Sequence, residues 1–198
     1  MNNYDRMLLA ARQRFLEYDP ITLGQKPGVT DQGSELITCF LGQRAEIRKE
    51  DGQILLDGRV AGFSEGLSVL DWLCDRKPDA TASLEFCPIG SLPGVYVGGG
   101  SLSMDMPRLA MTIDQTPEKF QAACLELGGL PENLGDMGFR LEIFPNLPMC
   151  LKFYFGDEEF PPQLTLLWDR NMLRFVRYET VYYIADCLQA RLLQRMER

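Results

Sequence analysis

Histidine is missing from all 198 residues, which withdraws the commonest general base and the commonest neutral metal ligand from this chain. Ser-His-Asp, Cys-His, H-E-x-x-H and 2-His-1-carboxylate chemistries are therefore excluded within it. The six cysteines, Cys39, Cys74, Cys87, Cys124, Cys150 and Cys187, are scattered and form no C-x-x-C pair. Structural zinc and iron–sulfur sites take closely spaced thiolates that one loop can aim at a metal. Most of these cysteines sit within apolar segments, which predicts buried, reduced thiols, and no metal or cofactor is expected. A surplus of positive charge is missing as well. The formal net charge of −8 argues against nucleic acid, whose phosphates need clustered Lys and Arg, and against anionic membranes. No apolar run approaches the roughly 20 residues that span a bilayer. Met1-Asn2-Asn3-Tyr4-Asp5-Arg6 lacks the basic start and continuous apolar stretch of a signal peptide. The expectation is a cytoplasmic protein whose partner is a protein or a small molecule.

What is present is the composition of a folded chain: 45% apolar and 24% charged residues leave no room for extensive disorder. A chain of 198 residues is most economically one domain. Its clearest patterning lies after residue 137. Phe139, Leu141 and Ile143 alternate with Arg140 and Glu142; Leu151, Phe153 and Phe155 with Lys152 and Tyr154; Leu164, Leu166 and Trp168 with Gln163, Thr165 and Leu167. Period-two alternation marks half-buried strands. The connections, Pro145 to Pro148 and Gly156 to Pro162, are rich in turn formers, so an antiparallel meander follows. A long amphipathic helix ends the chain and is expected to cover the meander's apolar face. The fold class predicted is α+β, antiparallel meanders covered by helices.

Upstream, Tyr4, Met7/Leu8, Ala11 and Phe15 recur at helical spacing, giving a helix over 3–18 that Asp19-Pro20 stops. Residues 20–34, with Pro20, Gly24, Pro27, Gly28 and Gly33, read as an irregular connection. Segments 36–41 and 44–49 form a hairpin around Gly42-Gln43, with a third strand over 53–56 after Asp51-Gly52. Ser64 is the expected cap of a helix over 65–77, striped by Leu67, Leu70 and Cys74 and followed by Pro78. Residues 83–87 read as an extended element. Thr116-Pro117-Glu118 opens another helix whose buried stripe is Phe120, Ala123, Cys124 and Leu127, ended by Gly128-Gly129.

Three places invite a functional reading. Gly98-Gly99-Gly100 offers bare amides to an anion, but Ser101-Leu102-Ser103 follows where a Walker loop needs Gly-Lys-Ser/Thr, and Ser103 breaks G-x-G-x-x-G; a turn or bulge is favoured. Asp157, Glu158 and Glu159 occupy a hairpin tip, with Asp169 at the end of the next strand. Clustered carboxylates can hold a hard cation or raise one another's pKa. No EF-hand spacing is present, and a solvated turn is the competing reading. Arg177, Tyr178 and Glu179 open the last helix beside Arg174, Tyr182 and Tyr183, a composition typical of binding hot spots or of rings packed onto the sheet. Arg191, Arg195 and Arg198 near the helix end complement its dipole without a ligand.

Gly156-Asp157-Glu158-Glu159-Phe160-Pro161 and the strand end Trp168-Asp169 resemble the domain-of-unknown-function family thirty-seven eighty-six of anaerobic bacteria and archaea. Members typically show a Gly-Asp-x-Glu-Phe-Pro turn, a strand ending in Phe-Asp and a Tyr-Leu-Pro-Thr-Glu-Asp helix opening. Here Phe175-Val176-Arg177-Tyr178-Glu179-Thr180 keeps the acid at Glu179, and the histidine that often precedes it is gone. The resemblance implies an anaerobic redox or one-carbon setting. Because some relatives carry a four-cysteine iron–sulfur module associated with corrinoid proteins, it also implies a link to such proteins as partners. The reading carried forward is a non-catalytic accessory or ligand- and partner-binding domain, using Asp157, Glu158, Glu159, Asp169, Arg177, Tyr178 and Glu179. The alternative is an enzyme working through carboxylates, Tyr or Cys, with Asp157, Glu159 and Glu179 as the first residues to test.

Overall fold

The late alternating segments are strands in a computed structural model of the chain, which describes residues 2–95, 104 and 106–198. The elements run α1 (Asn3–Leu16), α2 (Pro20–Gly24), β1 (Thr30–Asp31), β2 (Glu35–Phe40), β3 (Gln43–Arg48), β4 (Ile54–Leu56), β5 (Arg59–Val60), α3 (Phe63–Asp75), β6 (Phe86–Cys87), α4 (Pro107–Gln115), α5 (Pro117–Glu126), β7 (Leu130–Glu132), β8 (Met137–Phe144), β9 (Leu147–Tyr154), β10 (Gln163–Asp169) and α6 (Tyr178–Met196). The fold is α+β. One antiparallel sheet has the order β1-β2-β3-β4-β5; the other has the order β6-β10-β9-β8-β7, so a meander gains an outer strand from upstream.

Register explains why each sheet has one buried side. In the second, Phe139 faces Leu151, which faces Leu166, while Leu141 faces Met149, which faces Trp168; all six are buried. The alternation read from residues 137–168 therefore holds, except that β9 ends at Tyr154 and Phe155 is exposed. In the first sheet Leu36, Ile47 and Ile54 align, as do Thr38, Ala45 and Leu56. Its β2–β3 hairpin turns through Leu41 and Gly42, both at positive φ (47° and 76°), the geometry of a two-residue turn matched to strand twist.

Several local expectations needed correction. Residues 20–34 are not irregular throughout, since α2 and β1 lie within them. The Asp19-Pro20 pair read as a stop also starts α2: the Asp19 carboxylate accepts from the amides of Ile21 and Thr22, and Pro20 sits where a missing N–H costs nothing. Ser64 does not cap α3. Gly62 does, its amide donating to Glu65 Oε2 at 2.8 Å. α4 had no sequence counterpart. The first turns of α1 are exposed, with only Ala11 and Phe15 buried, whereas α5 buries Phe120, Ala123 and Cys124 as its stripe requires.

Helices and sheets share one buried core, in which α3 packs along α1 and α6, and α6 along α5. An aromatic column crosses it. Phe40 stacks on Phe144 (centroids 4.8 Å apart) and Phe144 on Trp72 (4.6 Å, 8° between planes). A guanidinium closes each end: Arg191 lies over Phe40 at 4.8 Å, and Arg76 over Trp72 at 5.2 Å. Arg191, read from the sequence as a complement to the α6 dipole, is buried, its Nη1 donating to the carbonyls of Phe40 and Leu41 at 2.5 and 2.8 Å. Burial pushes its pKa down, and the neighbouring Glu65 opposes that shift.

Candidate functional site

The second face of the β8–β9 hairpin carries Arg140, Glu142 and Pro148. A chain segment leaving α3 runs past this face and leaves a cleft of about 770 Å³ between them. Pro27, Ala80, Ala82, Leu84, Leu130 and Pro148 make most of its lining apolar, and Arg76, Arg140 and Glu142 supply charge. This is the size and character of small-molecule sites, mostly apolar with a few placed polar groups. Leu84 and Leu130 are largely exposed at its rim.

One wall is held in an unusual conformation. Leu84 has φ of 60°, a left-handed geometry that costs an L-residue about 1–2 kcal/mol. Asp169, fully buried at the end of β10, imposes it. Its Oδ2 accepts from Leu84 N at 2.8 Å, and its Oδ1 from Ser83 N and Ser83 Oγ at 3.1 Å each and from Asn171 N at 2.8 Å. A carboxylate offers about four acceptor positions, so these bonds occupy Asp169. Arg170 N, donating to Glu85 O at 2.8 Å, ties the same segment further along.

The acidic turn lies at the opposite end of β10. Asp157 Oδ1 accepts from the amides of Glu159 and Phe160 at 2.8 Å each, an Asx turn. Those amides, Phe160 first, hold its pKa below the ordinary carboxylate value. Glu158 and Glu159 are exposed. A second hollow of about 680 Å³ includes Asp157, Asp136, Tyr154, Phe155 and Phe160. Asp157 and Asp169 are thus separated by the length of a seven-residue strand, roughly 20 Å at 3.3 Å per residue. Among the described residues no group of three or more Cys, Asp or Glu is placed to hold a metal.

The model of the family described as Domain of unknown function (DUF3786) matches residues 19–191. The chain belongs to that family. No curated protein and no solved structure matches it. Both segments that carried the resemblance lie inside the matched span, and they have separate jobs: in this DUF3786 chain Gly156–Pro161 caps itself at one end of β10, while Trp168-Asp169 fixes the cleft wall at the other.

The remaining predicted residues gather at the start of α6. Arg177 Nε lies 2.8 Å from Asp75 Oδ2. Asp75 also meets Arg14 at 3.3 Å, and Arg14 Nη2 reaches Asp71 Oδ1 at 2.5 Å. Thr180 Oγ1 donates to the other Asp71 oxygen at 2.6 Å. Glu179, Arg177 and Tyr183 line a hollow of about 360 Å³ beside this network. Both oxygens of Asp71 are engaged, one by Arg14 and the other by Thr180, which suits a staple between α1, α3 and α6 better than proton transfer. Tyr178 and Tyr182 meet hydroxyl to hydroxyl at 2.8 Å; burial, then that bond, pushes the Tyr182 pKa up to about 12.

Gly98, Gly99 and Gly100 lie outside the described residues. No helix among the described residues is long and apolar enough to cross a membrane. Sequence reasoning missed Arg76, Asp71 and Leu84. Asp71 had a signal, an acid inside the otherwise apolar run from Val69 to Cys74. Arg76, next to Lys77-Pro78, looked like an ordinary charge at a helix end.

Proposed function

We propose that this chain is a non-catalytic ligand-binding domain whose site is the cleft between residues 80–84 and the β8–β9 hairpin. The accessory setting in anaerobic redox or one-carbon metabolism rests on the family resemblance alone. The observation that carries the reading is the preformed wall: Leu84 is held at φ 60° by a buried carboxylate. Strain of this kind persists only where the surroundings over-determine it, and it clusters where ligands are clamped. A preformed apolar cleft spares a ligand the entropy of ordering its own site.

Native mass spectrometry of protein purified without denaturant tests this directly. The expected spectrum shows a small molecule retained by the wild type and lost from Ala82→Trp, which fills the cleft with an indole. Retention unchanged in that variant refutes the site. Conversion of the released molecule by fresh protein would mark an enzyme and overturn the non-catalytic reading.

A further inference from the structure

The cleft contains a charge that no other described residue answers. Arg76 is only 6% exposed, yet among the described residues it joins none of the ion pairs that engage Arg14, Arg44, Arg48, Arg59, Arg140, Arg170, Arg174, Arg177, Arg191 and Arg195. Among the described residues its guanidinium makes one hydrogen bond, from Nη1 to the Pro27 carbonyl at 2.6 Å. Trp72 and Phe175 flank it, their ring centroids 5.2 and 5.6 Å from Cζ. Arg76 also acts on Lys26, another cation, whose pKa is lowered first by burial and further by Arg76. Burying an unpaired cation is costly, and rings and a single carbonyl are weak recompense.

The guanidinium also has an open edge. The Nε atoms of Arg12, Arg14, Arg191 and Arg195 are sealed in without partners, but no Arg76 nitrogen is both sealed and unpartnered. Arg76 lines the cleft, and its guanidinium keeps donors that are neither bonded to protein nor sealed from solvent among the described residues. We infer that the cleft takes a small carboxylic acid, an apolar body bearing one carboxylate that pairs with Arg76. The inference deepens the ligand-binding reading and rests on it. The planar Nε/Nη2 fork matches two carboxylate oxygens. Glu142 shares the cleft and opposes a more highly charged group such as phosphate. Arg140 is paired with Glu132 at 3.3 Å, leaving Arg76 as the anchor. The apolar lining suits the rest of the molecule.

Isothermal titration of the intact protein with octanoate and with its neutral counterpart octanamide separates the claims. Octanoate should bind about tenfold or more tightly than octanamide, as a charge-assisted pair in a dry cleft implies. Arg76→Gln should abolish that preference, octanoate falling to about the affinity of octanamide, and Ala82→Trp should weaken both compounds. Arg76→Lys, which keeps the charge without the fork, should retain only part of the preference and serves if the Gln variant does not fold. Equal binding of the two compounds, both sensitive to Ala82→Trp, leaves the ligand site standing and overturns the carboxylate. Displacement of octanoate by inorganic phosphate at lower concentration than by acetate overturns it too. Binding of neither compound overturns both readings.

Discussion

Replacing Asp169 with Ala removes the acceptor for three backbone amides and one hydroxyl at once. Hydrogen bonds to a charged group contribute about 1.5–3 kcal/mol each. The donors on residues 83–84 are only part-buried and can turn to water, so about 1 kcal/mol per amide is the fitting figure. Release of Leu84 from its left-handed conformation returns about 1–2 kcal/mol. The net loss expected is about 2 kcal/mol, read as a shift in the midpoint of urea unfolding at unchanged m-value. A second variant isolates the strain. Leu84→Gly relieves the backbone at an exposed position and, after the entropy a glycine adds to the unfolded chain, should gain about 0.5 kcal/mol. In the Asp169→Ala background the wall is already relaxed, and the same change should lose about 0.5–1 kcal/mol. The double-mutant cycle should therefore show a coupling of about 1 kcal/mol. Additivity of the two changes, or a loss below roughly 0.5 kcal/mol for Asp169→Ala, would refute the claim that Asp169 holds the cleft wall.

Three further outcomes follow from the geometry. Arg191→Met strands the carbonyls of Phe40 and Leu41 and should cost about 3 kcal/mol, as when one partner of a buried charged contact is removed; a loss within surface-mutation scatter in urea unfolding would contradict its role at the end of the aromatic column. The Asp157 pKa is depressed by its backbone bonds, so the turn's contribution is full above the ordinary value of 3.8 and lost as pH falls through the lower folded value. Amide exchange at Phe160 should show protection vanishing in that acid window, and Asp157→Asn should lack the pH dependence. Burial pushes the Cys74 thiol up to about 11 and those of Cys150 and Cys187 to about 12, and raises Cys124 as well. Iodoacetamide at pH 8 should therefore label only the half-buried Cys39 and Cys87 before denaturant is added, and native labelling of the other four would count against their packing.

How far the fold could be read in advance follows from where the information sits. Alternation along β8, β9 and β10, the stripe of α5 and the turn at Asp51-Gly52 depend on neighbours a few residues apart, and all emerged from the chain alone. Short elements such as α2, β5 and β7 leave too few residues to show a period. α3 is buried on every side from Gly66 to Cys74, so a helical wheel could not announce Trp72 as the centre of the core.

The candidate site was less legible, because its members are distant in sequence. Asp169 reaches Leu84 across 85 positions, and Arg76 reaches Pro27 across 49. The absence of histidine, the scattered thiols and the family motif were properties of the chain before it folded. Tertiary structure alone decided that Asp169 turns away from the acidic hairpin to brace a cleft, and that Arg76 is buried beside it without a counter-ion among the described residues. Periodicity encodes which side of an element is apolar. Which distant group then completes a carboxylate's bonds, or leaves a guanidinium wanting an anion, depends on how the sheets and helices come together.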